Sequence, residues 1–236
     1  MHLIAPTEPP LRNELDLIAE HVPLDGTRVL ELGCGAARMT RALASHFNPR
    51  SVIATEVDRV QLDRNLALGD VPDTIRFRYG GAERIDYPDG HFDRVFMFKS
   101  LHHVPTDRME ASLAEIARVL RPGGLAWFSE PVYDGDFNAL MSLFHDEKTV
   151  REAAFKAIRG AIDGRLFSLE HQLFFKVERQ FSDFAQFEER MIGVTHTELR
   201  LTPDTLARVR ARFESFADGD GARFEAPMRV DLLRRI

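Results

Sequence analysis

Five short apolar runs alternate with helical patterns over the first 130 residues, and this alternation restricts the fold more than any other feature. The runs are TRVLEL (27–32), SVIATEV (51–57), TIRFRY (74–79), FDRVFMF (92–98) and LAWFSE (125–130). Between them, RMTRALASHF (38–47), residues 59–68 and residues 107–120 carry helical periodicity. Met109, Leu113, Ile116, Ala117 and Leu120 share one face of the third helix. Asp107 with Glu110 predicts its start, and RPGG (121–124) its stop. Strands alternating with helices imply a parallel sheet covered on both faces. Right-handed crossovers then place every strand C-terminus, and the ligand, at one edge.

The pattern changes after Pro131. Residues 134–163 read as helical, with Phe137, Leu140, Met141 and Phe144 on a stripe that Val150, Ala154, Ile158 and Ile162 continue. EHQLFFKVERQF (170–181) reads as a strand, SDFAQFEERMI (182–192) and TPDTLARVRARFESF (202–216) as helices, and ARFEAPMRVDLL (222–233) as a closing strand. The phenylalanines at 174, 175, 181, 184 and 187 are expected in a core rather than in an aromatic substrate cage. A single domain over 1–236 is expected. Residues 22–131 would form a ligand-binding core. Residues 1–21 and 132–221 would form a cap that includes a sixth strand, and 222–236 the closing strand.

Composition narrows the partners. The formal net charge is −6, and the arginines of the tail alternate with acidic residues. A polyanion such as nucleic acid, which needs clustered Lys and Arg, is therefore not expected. No run reaches the roughly 18 apolar residues of a membrane span, and the N-terminus has no secretory pattern. The single cysteine, Cys34, excludes an internal disulfide, and a cytoplasmic setting is expected.

VLELGCGAARMT (29–40) holds the first chemical signal. Gly33 and Gly35 fall between a strand and a helix, where glycine permits a tight turn and close approach of a ligand. A dinucleotide fingerprint would want a third glycine at position 38, which is Arg38. Glu31 would repel a pyrophosphate but attract an ammonium or sulfonium. Glu56, 21 positions after Gly35, ends the second strand, where a carboxylate can accept both hydroxyls of a ribose. Ala82 and Glu83 fall in the loop after the third strand, within reach of a base.

Four segments, VLELGCGAARMT, VIATEVD, GGAERIDYPDGHFDRVFMFKSLHHV and AEIARVLRPGGLAWFSEP, resemble the class I S-adenosylmethionine-dependent methyltransferases of the small-molecule type. They cover roughly residues 27–131 in the family's order and spacing. The resemblance implies a Rossmann-like, doubly wound seven-stranded α/β sheet with a helical cap inserted after strand 5. It implies S-adenosylmethionine as methyl donor and S-adenosylhomocysteine as product. Gly33, Cys34 and Gly35 would line the methionine part, with Glu31 close by. Glu56 would hold the ribose and Val57 pack on the adenine, with Ala82 and Glu83 at its edge. Met97 and Phe98 would offer backbone near the amino group. Two positions depart from the pattern: many relatives have Asp at Gly81 and Gly at Ala37. The adenine contact must then come from backbone or another side chain, and a small residue at 37 should be tolerated.

The implied activity is methyl transfer to an O, N or S nucleophile of a small molecule. The alternatives are methylation of RNA or protein, or a binding module without catalysis. A general base is needed only for a protonated nucleophile. His103, His102 and Glu130, at the ligand edge, are the catalytic candidates, and His145 and His196 are candidates for substrate contact. His171 reads as an ordinary strand residue. No metal is expected, because the spacing of His145, Glu147 and His196 has no metal-site signature.

Overall fold

A computed structural model describes residues 1–193 and 201–236. In chain order the elements are α1 (Glu14–His21), β1 (Arg28–Leu32), α2 (Arg38–Phe47), β2 (Ser51–Glu56), α3 (Arg59–Leu66), β3 (Ile75–Tyr79) and β4 (Phe92–Phe98). A 3-10 turn (Leu101–His103) leads to α4 (Met109–Val119), β5 (Leu120–Pro131), α5 (Gly135–Met141), α6 (Lys148–Asp163) and β6 (Phe167–Phe181). Then come α7 (Phe184–Phe187), a π-helical turn (Glu188–Ile192), α8 (Pro203–Glu214), β7 (Ala217–Asp218) and β8 (Gly221–Arg235).

Seven strands run in the order β3-β2-β1-β4-β5-β8-β6, and the two-residue β7 hairpins onto β8. β1 to β5 are parallel, while β8 runs antiparallel to both β5 and β6. The fold is the doubly wound α/β arrangement expected from the alternation, and it brings the C-terminal ends of β1, β2, β4 and β5 to one edge. Side chains alternate along each strand. Leu30, Leu32, Val95 and Phe128 face α4 and α6, which contribute Leu113, Ile116 and Ile158. Val29, Phe96 and Trp127 face the other way, onto Ile18, Leu43 and Leu62 of α1, α2 and α3. A third cluster stands apart in the cap: Leu140, Phe181, Phe184, Phe187, Phe213 and Phe224. Four of the five singled-out phenylalanines are thus buried, while Phe174 is half-buried. The edge strand β6 is covered in part by the N-terminal segment. Lys176 N donates to Pro10 O, and Arg12 N to Lys176 O.

Several local expectations are corrected. The helical stretch 134–163 is two helices. α5 ends at Met141, and Asp146 accepts from Lys148 N at 3.0 Å to begin a new one. Asp107 does not cap α4: Arg108, already near helical dihedrals, is the cap residue, and Asp107 pairs with it instead. RPGG stops α4, but the strand starts at once, with Leu120 opposite Phe92, before a register shift to Leu125 opposite Arg94. Residues 182–192 form one helical turn and a π-turn rather than a single helix, with Asp183 as cap. Among the described residues no helix is long and apolar enough to cross a membrane.

Candidate active site

The glycine turn leaves β1 in a left-handed conformation, with φ of +71° at Gly33, +51° at Gly35 and +57° at Ala37. The amides of Gly33 and Cys34 donate to Thr55 O at 3.0 and 2.9 Å, which ties the turn to β2. A Cβ at Gly33 would stand 2.8 Å from Ser100 Cβ, so this position must be glycine. A Cβ at Gly35 would meet nothing within 4 Å. That glycine opens onto free space, as a ligand cradle requires. The side chain of Ala37 is completely buried, so the pocket for a small residue there exists.

Beneath the turn lies an acidic floor. Glu31 is buried, and neither its Oε2 nor the Thr40 hydroxyl near it has a hydrogen-bond partner within bonding geometry among the described residues. Burial pushes its carboxyl up to about 8; Glu14 and Glu56 push the same way, against the Thr40 hydroxyl and Lys99. Glu14 accepts from Trp127 Nε1 at 3.1 Å, and Lys99 Nζ stands 3.9 Å from its other oxygen. Lys99 itself is held at φ +54°, its amide bound to Ser129 O at 2.7 Å. An L-residue in that conformation is strained, a cost commonly found at functional sites. Cys34 is a buried thiol whose pKa is raised by burial and by Glu31 and Glu56, so it is not a nucleophile.

Glu56 holds the turn together. Its Oε2 accepts from Gly35 N at 2.7 Å, and its Oε1 from Val57 N and Asp58 N at 2.9 and 3.0 Å. A carboxylate has about four acceptor sites, so three bonds leave capacity for a hydroxyl. Asn65 adds a bond to Gly35 O at 2.7 Å. Val57 is 56% exposed and forms an apolar platform. Beside it, a Cβ at Gly81 would lie 2.2 Å from Glu83 Oε2 and 3.4 Å from Val57 Cγ1. The Glu83 carboxylate therefore occupies the space that a side chain at 81 would take. Ala82, Met97 and Phe98 are buried, the last stacked on Phe96 with centroids 5.4 Å apart.

The second group sits where β4 and β5 end. His102 is 4% exposed and Glu130 1%. His102 Nδ1 is hydrogen-bonded to Glu130, whose other oxygen accepts from Leu101 N at 3.0 Å. His102 Nε2 faces Glu147 at 3.5 Å. Both ring nitrogens thus address carboxylates, which only the imidazolium can satisfy as a double donor. Burial alone would lower the pKa of His102, but Glu130 and Glu147 raise it to about 9. Burial in turn raises Glu130 and Glu147, yet His102, with Arg229 on one side and Arg151 on the other, holds both below the usual carboxylate range. Glu147 also accepts from Arg151 at 2.6 Å and faces His145 Nε2 at 2.9 Å. His102, His103 and Glu147 offer ligand atoms within 4.8 Å of one another. His102 Nε2 and Glu147 are already paired with each other at 3.5 Å.

A cavity of about 260 Å³ opens beside this cluster. Its walls come from the β4 and β5 ends (Lys99, His102, His103, Val132), from α5 and α6, and from β6, the π-turn and β8. His103, exposed and tilted against the His102 ring with centroids 4.1 Å apart, lines it, as does His145. Glu130 does not; it stands behind His102. His196 lies outside the described residues. His171 packs against His21, with ring centroids 4.7 Å apart, away from the cavity, and Arg12 pairs with Glu20. Lys99, Glu14, Arg151, Arg179 and Arg190 were not singled out by the sequence. Lys99 alone had an available signal, its place directly after the fourth strand.

A methyltransferase domain family matches residues 29–124. The chain is 40% identical over 114 residues to 27-O-demethylrifamycin SV methyltransferase of Amycolatopsis mediterranei, covering 46% of this chain and 40% of that protein. It is 34% identical over 123 residues to the fatty-acid O-methyltransferase of Mycolicibacterium smegmatis, covering 49% and 42%. The chain thus spans less than half the length of these relatives. In structure it resembles the YcgJ protein of Bacillus subtilis (TM-score 0.68, 18% identity, 94% of this chain and 97% of that one). It also resembles a Bacillus halodurans protein described as a putative methyltransferase (TM-score 0.64, 18% identity, 94% and 98%). The fold is that of the class I methyltransferases.

Proposed function

We propose that this chain, which matches a methyltransferase domain family over residues 29–124, transfers a methyl group from S-adenosylmethionine to an O, N or S nucleophile of a small molecule. One observation carries the reading: the orphaned, buried Glu31 oxygen in an acidic floor, below a glycine cradle open at Gly35. Three carboxylates, Glu14, Glu31 and Glu56, share that floor with Lys99. A cation in the cradle would relieve it, whereas a pyrophosphate would be repelled. These residues fit S-adenosylmethionine, which when bound supplies a methyl already activated on a sulfonium.

Glu31 and the Gly33–Gly35 backbone would hold the methionine part, and Glu56 the ribose. Val57 would offer its apolar surface to the adenine, with Ala82 and Glu83 at the edge and the backbone of Met97 and Phe98 nearby. Glu83 would supply the carboxylate that Gly81 lacks. The acceptor would occupy the adjoining cavity. Lys99 links the two, facing Glu14 on one side and the cavity on the other. His102, hydrogen-bonded to Glu130 and ion-paired with Glu147, would orient the cavity wall rather than take a proton. His103, exposed on that wall, is the better general base where the nucleophile is protonated. Alignment of nucleophile and methyl is the chain's main catalytic task, with up to roughly 7–11 kcal/mol available from orientation alone. The acceptor's small size is supported by the cavity volume, and a cytoplasmic setting by the single, unbridged cysteine.

Calorimetry with S-adenosylhomocysteine tests the reading. Saturable binding is expected, and Gly35→Arg, which fills the open cradle, should weaken it at least about 100-fold, or roughly 2.7 kcal/mol. No binding at millimolar ligand, or unchanged affinity in the variant, would refute the assignment.

A further inference from the structure

The charge around the cavity does not balance. Lys99, Arg151, Arg179 and Arg190 line it, against the carboxylates Asp134 and Glu147. Glu147 is consumed by His102, His145 and Arg151. Asp134 caps α5 through Gly135 N at 2.8 Å. Arg151 is further bound to Asn138 Oδ1 at 2.8 Å, and Lys99 faces Glu14.

Arg151 Nε is unpaired among the described residues, but its other nitrogens are bound to Asn138 and Glu147; Arg179 on β6 is different. Its Nε is shielded from solvent and has no hydrogen-bond partner among the described residues. The charges acting on it are two like ones, Arg190 and Arg38, and one carboxylate, Glu14. Glu14 is already held by Trp127 and Lys99. Among the described residues Arg190 makes a long bond to Gln180 O at 3.4 Å and lies over the Phe181 ring at 5.2 Å. A half-buried guanidinium without a counter-ion is unfavourable unless something else pairs with it. Guanidinium groups match carboxylate and phosphate oxygens two at a time. The rest of the wall combines His102, His103, His145 and Asn138 with an apolar part that includes Val132, Phe137, Met141, Met191 and Met228.

We propose that the molecule taken by this cavity carries an anionic group, a carboxylate or phosphate, held by Arg179 with Arg190, and an apolar body against Phe137 and the methionines. That this molecule is the methyl acceptor rests on the function proposed above; the anion site itself does not.

The test uses three ligands with one chain length: octanoate, octyl phosphate and octan-1-ol. Each is titrated calorimetrically into the full chain, with and without saturating S-adenosylhomocysteine. At least one anion should bind ten-fold or more tighter than octan-1-ol, and which one does so separates carboxylate from phosphate. Arg179→Met should remove that preference while leaving octan-1-ol and S-adenosylhomocysteine affinities within two-fold. Arg190→Gln, at an exposed position, should weaken the anion several-fold and serves if Arg179→Met does not fold. Equal binding of the three ligands, or an anion preference that survives both substitutions, overturns the proposal. So does a loss of S-adenosylhomocysteine affinity in Arg179→Met, which would assign the guanidinium to the cofactor. An anion preference without any S-adenosylhomocysteine binding would keep the anion site and refute methyl transfer. The reverse outcome would keep methyl transfer and refute the anion site.

Discussion

The two sides of Lys99 differ in charge. Under the glycine turn stand Glu14, Glu31 and Glu56. Across the site, in the cavity roofed by the cap, stand Arg151, Arg179 and Arg190. The two regions also differ in how they are built. The turn is held by backbone bonds and by Glu56, Asn65 and Ser100, contributed by the ends of neighbouring strands and one helix. The cap rests on a separate cluster of phenylalanines. A site assembled this way can keep one ligand fixed while the other half changes, because the two halves share little packing.

The strongest challenge to that separation is a cavity in the cap. Phe213 is buried among Phe181, Phe184, Phe187 and Phe224. Phe213→Ala should cost about 3–5 kcal/mol, read as a fall in the denaturant midpoint. S-adenosylhomocysteine affinity of the folded fraction should stay within two-fold. A parallel loss of affinity would show that the halves are one packing unit.

A smaller effect separates the halves by pH. The pKa of His102 is raised in the fold, so its ion pairs stabilise fully below the unfolded value near 6.5 and are lost as pH rises through about 9. Glu31 acts with the same sign over a lower window. Its pKa is raised to about 8 by burial, so the cost of ionising it grows as pH climbs from its unfolded value. In Glu31→Gln, the melting temperature should therefore still fall by several degrees between pH 6.5 and 9, at about 2–4 °C per kcal/mol. A flat profile in that variant would mean that His102 is not held as an imidazolium.

How far the sequence anticipates this comparison follows from where each signal lies. Gly33, Gly35, Glu31 and Glu56 are legible because the turn and the strand ends are local in sequence, and each needs a particular residue type. The parallel core is legible for the same reason: strand periodicity and glycine stops are local. The cap is not. Arg179 sits on a strand 80 positions after Lys99, and only the return of β6 beside β8 brings it to the cavity. In sequence Glu147 stands out only with His145 and His196, and its place against His102 appears only when the start of α6 packs beside the β4 end. The break between α5 and α6 was hidden because residues 142–147, SLFHDE, hold no Gly or Pro to mark a stop. Glu83 was placed at the adenine edge by position, but only the backbone shows that its carboxylate fills the space above Gly81.

A glycine turn set over Glu14, Glu31 and Glu56 is suited to a ligand that brings positive charge. At pH 7 the Glu31 carboxyl, pushed up to about 8, is mostly protonated before a ligand binds. A cationic amino acid group or sulfonium placed near it should ionise it. Calorimetry of S-adenosylhomocysteine binding in buffers of different ionisation enthalpy should then show close to one proton released per ligand at pH 7, and none in Glu31→Gln. Binding with no proton released, or the same release from both proteins, would contradict the account.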